Sequence, residues 1–159
     1  RRWGPRHRRA RGVFHAGHAM RAKAVRDAIV AAVEGIAPDS VAHGGDLFRQ
    51  APSTLDEPPS DRTFYLERTS PQFPAGMLFA GADPYSIGFD LGVTYVPTAE
   101  AQDRILDDGD LVVDALKNLS AQNMQILKTE IAGGADLEDP AGNRVCIWNI
   151  TIVYDRRSA

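Results

Sequence analysis

The sequence predicts an α+β fold: about four antiparallel strands in one sheet, two α-helices packed on one face of it, and long inserted loops. Three observations predict it. Segments 20–36 and 99–119 carry apolar residues at helical spacing. Residues 85–95 place a large apolar side chain at every second position. Three further runs, 62–68, 126–132 and 144–154, are short, rich in β-formers and bounded by turn residues. The order helix, strand, strand, helix, strand, strand sets successive strands side by side, which favours antiparallel pairing. No internal repeat is present.

In the first helix, 20–36, Val25, Ile29, Val33 and Ile36 form the apolar stripe, and Ala22, Ala28, Ala31 and Ala32 favour the helix. Gly35 and Pro38 end it. Residues 37–61 read as a long loop holding Pro38, Pro52, Pro58 and Pro59, with a short strand or turn at 46–50. Arg62 to Arg68 is the first firm strand, with Phe64 and Leu66 alternating against Thr63, Tyr65 and Glu67. A second long loop, 69–84, carries Phe73, Met77, Leu78 and Phe79. Either it folds back over its own core or these residues are a contact surface for another chain.

Tyr85 to Val96 reads as a long strand with one buried face, formed by Tyr85, Ile87, Phe89, Leu91, Val93 and Tyr95. Pro97 stops it, and Thr98 is the expected N-cap of the next helix. In that helix, 99–119, Ile105, Val112, Leu116 and Leu119 lie on the core side, supported by Leu106 and Val113. Gly109 on the same side allows close approach to the sheet. Ile126 to Ala132 is the third strand, 133–143 a hairpin loop, and Arg144 to Tyr154 the last strand. Cys146, Trp148, Ile150, Ile152 and Tyr154 share one face of it, and Arg156 and Arg157 read as a solvated tail.

A chain of 159 residues is one domain's worth, and 43% hydrophobic with 25% charged residues excludes a largely disordered chain. No apolar run reaches the roughly 18 residues of a membrane span, so no membrane partner is expected. The net charge of −3 conceals a division. Residues 1–19 hold six of the 18 basic residues and no acid; residues 20–159 hold 12 basic against 21 acidic residues. The first 19 residues thus form a basic arm on an acidic domain spanning 20–159. The arm has no apolar core of a secretory signal; its composition is shared by transit peptides and by nucleic-acid-binding arms. The shift falls beside Met20, so the arm also reads as lying outside the natural product.

No set of residues for catalysis stands out, and the expectation is a protein that is not an enzyme and needs no cofactor. His7, His15 and His18 lie in the arm and His43 in a Gly-rich loop, with no paired spacing for zinc. Neither a phosphate-binding Gly-rich loop nor a Gly-x-Ser-x-Gly elbow is present. Cys146, alternating with apolar residues, reads as a buried structural thiol. Asp136, Glu138 and Asp139 lack the spacing of a calcium loop, and Pro140 with Gly142 explains the segment as a turn. One charge pattern stands out. Asp103, Asp107, Asp110 and Asp114 recur at helical spacing along the second helix. They are either an ordinary solvated face or the wall of a channel through which DNA slides without sticking, since an acidic wall offers no counterion release.

The whole layout resembles the tail terminator (tail-completion) proteins of tailed bacteriophages. The residues that carry the resemblance are RAKAVRDAIVAAVEGI, RTFYLER, YSIGFDLGVTYVPTAEAQDRILDDGDLVVDALKNL, ILKTEIAGG and RVCIWNITIVYDRR. A long strand ending in aromatic-x-Pro, an Asp-rich helix and a hairpin closing on Tyr-x-Arg are similar to that family's order. The resemblance covers about residues 20–157; the arm and the long loops 37–61 and 69–84 depart from it. It implies a structural virion protein of the neck: a hexameric homo-oligomer on the last ring of tail tube protein. Such a ring stops elongation and meets the head-closure or neck protein, and DNA passes through its lumen. It further implies assembly in the host cytoplasm. Under this resemblance Phe73, Met77, Leu78 and Phe79 are the expected oligomer or tube interface, and Asp103, Asp107, Asp110 and Asp114 the lumen-facing stripe. The alternatives are another neck component, such as a head-closure (stopper) protein, and a small α+β ligand-binding domain.

Overall fold

The computed structural model describes residues 17–38, 47–51, 60–76 and 79–157, the side chains of 17–20 excepted. The elements are α1 (Gly17–Glu34), β1 (Arg49–Gln50), β2 (Thr63–Arg68), β3 (Phe73–Pro74), β4 (Pro84–Tyr95), α2 (Ala101–Lys117), β5 (Ile126–Glu138) and β6 (Arg144–Asp155). The fold is α+β with a mostly antiparallel open sheet in the order β1-β2-β4-β6-β5, and β3 adds to the β2 side of β4. The sheet has six strands where four were expected. The two extra ones, β1 and β3, are two residues each and lie in the segments read as loops. Only β1 runs parallel to its neighbour.

One core joins both helices to the sheet. Val25, Ile29 and Val33 of α1 and Ile105, Val112 and Leu116 of α2 pack with Ile87, Phe89, Leu91, Val93 and Tyr95 of β4. Cys146, Ile150, Ile152 and Tyr154 of β6 and Phe48, just before β1, complete it. These residues sit at spacings of four or seven on the helices and of two or four on the strands, so each element turns a single stripe inward. Leu106, expected to support the α2 stripe, is 62% exposed, because position 106 falls a helical step of 100° away from Ile105.

β4 is covered on both sides, which corrects the expectation of a single buried face. Its other face carries small residues, Ser86, Gly88, Gly92 and Thr94, all buried. The cover is local. Ser70 Oγ accepts from Gly88 N at 2.9 Å, and the ring of Tyr65, the cross-strand partner of Gly92, lies directly over that glycine. A Cβ at Gly92 would come within 2.2 Å of the Tyr65 ring.

Other boundaries differ from expectation. α1 begins at Gly17, three residues before Met20, so it crosses the expected edge of the basic arm; residues 1–16 lie outside the described residues. The N-cap of α2 is Glu100, without a side-chain cap, while Thr98 contributes only its carbonyl to Ala101 N at 3.1 Å. β5 continues through Gly133 to Glu138, with register shifts at 126–128 and 133–135 that let the strand bend and stay paired. The hairpin loop therefore shrinks to 139–143, where Asp139 accepts from Ala141 N and Asn143 N at 2.9 Å and from Asn143 Nδ2 at 2.8 Å. The tail is not loose: Arg156 bonds Asp83 at 2.6 Å and stacks over the Tyr85 ring at 4.6 Å.

Two glycine-to-alanine changes separate packing from propensity. Gly109→Ala adds a Cβ at 4.0 Å from Trp148, an ordinary contact, and is expected to stabilise the fold by about 1 kcal/mol through helix propensity. Gly92→Ala displaces the Tyr65 ring and is expected to cost about 1 kcal/mol. Urea midpoints of the two variants should move in opposite directions.

Candidate functional site

The side chains that converge in this protein meet at the turn before β2. Arg62 is wholly buried and left-handed, with φ 56°, a conformation held by its own backbone bonds. Its N–H donates to Thr94 O at 2.8 Å, and its carbonyl accepts from Arg49 N at 3.1 Å. Its guanidinium grips Asp108 of α2 through two hydrogen bonds, Nε to Oδ2 at 2.7 Å and Nη2 to Oδ1 at 3.1 Å. The Phe48 ring lies 5.7 Å from it. One residue earlier, Asp61 accepts from Val96 N at 3.1 Å and forms an ion pair with Arg104.

Arg104 and Asp108 are one helical turn apart, so both reach the same turn of chain. Two oppositely directed ion pairs thereby clamp α2 to the sheet. Burial opposes the charge on Arg62, but the hydrogen bonds to Asp108 and the carboxylates of Asp108 and Asp61 outweigh it and raise its proton affinity. Burial and the Asp108 carboxylate push the Tyr95 phenol well above its ordinary range, and its hydroxyl faces Asp108 without standard hydrogen-bond geometry. The four charges are paired, and Arg62 and Asp108 are fully shut from solvent. The cluster holds the fold together and offers no open group to a substrate.

The expected acidic stripe is placed on one solvent-facing side of α2: Asp103, Asp107, Asp110 and Asp114 are all exposed. Asp108, interleaved with them in sequence, points the opposite way. Arg104 and Asp108 were not among the expected site residues, although positions 101, 104, 105, 108, 112 and 116 form one buried stripe. Charged residues on an apolar stripe call for partners.

The expected apolar contact surface is placed in part. Phe73 is 47% exposed on β3 and Phe79 is half-buried, whereas Met77 and Leu78 lie outside the described residues. Of the acids in the hairpin, Asp136 pairs with Arg144 at 2.6 Å and Asp139 builds the turn. Among the described residues no three His, Cys, Asp or Glu side chains group as metal ligands. No described helix is long and apolar enough to cross a membrane. A groove of about 480 Å³ between α1 and the β1–β2 edge is lined in part by Arg26 and Asp27. These two neutralise each other at 2.8 Å.

No protein-family model matches the chain, and no curated protein is significantly similar to it.

Arg62→Ala or Asp108→Ala alone leaves a buried charge without its partner and is expected to cost about 3–5 kcal/mol. Replacing both by apolar residues of similar volume should cost much less, as denaturant titration of the single and double variants will show. Cys146 is buried, and burial and the nearby Asp136 push its thiol up to about 11 from 9.0. The folded state thus keeps a proton that the unfolded state loses. That contribution to stability is complete below about pH 9 and is lost as pH rises through about 11. Thiol reagents at pH 8 should label the unfolded chain readily and the native chain slowly.

Proposed function

We propose that this chain is a non-catalytic structural subunit of a bacteriophage neck, a tail-terminator-like protein. In this reading copies form a ring, hexameric when seated on the tail tube. The ring ends tail elongation and joins the tube to the head-closure protein, within a virion assembled in the host cytoplasm. The observation that carries this reading is the acidic face of α2. Four exposed aspartates at helical spacing repel one another by a few tenths of a kcal/mol per pair, a local cost with a use if the face lines a DNA channel. Such a wall releases no counterions, so DNA passes without being held. Its field is screened beyond about 8 Å at physiological salt, which confines the effect to the channel itself.

The order of the long elements supports the same reading, as does exposed Phe73, an apolar side chain that a neighbouring subunit or the tube would cover. The head-closure alternative leads to expect a small closed barrel, whereas the sheet described here is open at both ends.

The direct test is whether the purified protein caps isolated tail tubes and blocks further growth. Beyond that, replacing Asp103, Asp107, Asp110 and Asp114 together by Lys should leave the ring assembled and raise DNA retention. The retention should fall steeply with added salt. Retention equal to the parent ring at low salt would remove α2 from the lumen.

A further inference from the structure

We propose that the free edge of β5 is a subunit contact that receives β2 from a second copy of this chain, joining copies head to tail. The proposal rests on the reading of the chain as a self-assembling subunit. β5 is the terminal strand of the sheet and is 13 residues long. Its residues from Ala132 to Glu138 are all exposed, and Leu137 is 52% exposed. Among the described residues no strand pairs with its outer side. A row of backbone donors and acceptors of this length is ordinarily blunted or paired. The bulge at 133–135 bends the strand, so an incoming strand meets one flank at a time, and the flank 135–138 is open on both faces.

The opposite end of the sheet offers a matching edge. β1 covers only Thr63 and Phe64 of β2. Tyr65 to Arg68 have no strand beyond them among the described residues, four positions against the four of 135–138.

Charge selects which edge meets which. β5 carries one lysine, Lys128, against three acids, Glu130, Asp136 and Glu138, all exposed; Lys128 pairs with Glu130 and Arg144 of β6 with Asp136, which leaves Glu138 to set the sign of the edge. The β1–β2 edge carries two arginines, Arg49 and Arg68, against one acid, Glu67. Two β5 edges meeting would set acid against acid, which is unfavourable across a strand pair. β5 against β2 sets a negative edge on a positive one. A contact between two different edges is heterologous, so it propagates and closes into a ring when the rotation allows, where β5 on β5 would stop at a dimer.

The test uses the full chain. Sedimentation velocity would compare the parent with Glu138→Arg, Arg68→Glu and the double reversal, and amide hydrogen exchange would follow residues 135–138. Each single reversal should weaken association about fivefold, and the double reversal should restore it, which a misfolded variant would not do. Exchange at 135–138 should slow on association. Unprotected amides there in an assembled particle, an indifferent Arg68→Glu, or a chain that stays monomeric at every attainable concentration would each overturn the proposal. Tube capping with unprotected β5 amides removes this contact and leaves the neck reading standing. Association through β5 without capping does the reverse.

Discussion

Two carboxylates and two guanidiniums fix how α2 lies on the sheet. The turn at Asp61 and Arg62 presents one acid and one base, and α2 presents a base and an acid one turn apart in the matching order. A helix resting on apolar contacts alone tolerates small rotations, because dispersion is undirected. Four nearly buried charges do not, since any rotation that separates them leaves ions in a low-dielectric interior. The clamp therefore sets the rotation of α2. By the same geometry it sets the opposite side of the helix, with its four aspartates, toward solvent.

Asp103, Asp107, Asp110 and Asp114 face outward because Arg104, Ile105, Asp108 and Val112 face inward. Sheet and surface are linked in the same way. β2 is anchored at its start by the clamp turn and along its length by six partners on β4, and its far edge stays open beyond Phe64 among the described residues.

Much of the fold was legible in the sequence. The apolar stripe of α1, the alternation of β4 and β6 and the burial of Cys146 follow from periodicity, which reports burial directly. β1 and β3 were not legible, because two residues cannot show a period. The extension of β5 through Gly133 and Gly134 was read as a loop, since glycines depress strand propensity; pairing with β6 overrides it there. Ser86, Gly88, Gly92 and Thr94 looked like a solvated face because small residues look alike whether water or a tyrosine ring covers them. The ion-pair clamp was hidden for another reason. Its partners are 43 and 46 positions apart, so only the fold brings them together. The acidic stripe was visible as a pattern, and its outward direction became definite once the clamp was in place.

The two faces of β4 carry a consequence for how the chain can change length. Its twelve residues alternate large side chains toward the helices with small ones beneath Tyr65 and Ser70. Deleting or inserting one residue in that strand would exchange the faces downstream, pressing large side chains into the small-residue cover and leaving gaps in the core. β5 already absorbs two register shifts against the same neighbour, β6. Indels should accumulate there and in the hairpin turn while β4 keeps its length, so the sheet has one strand that sets the reading frame of the fold and another that gives way around it.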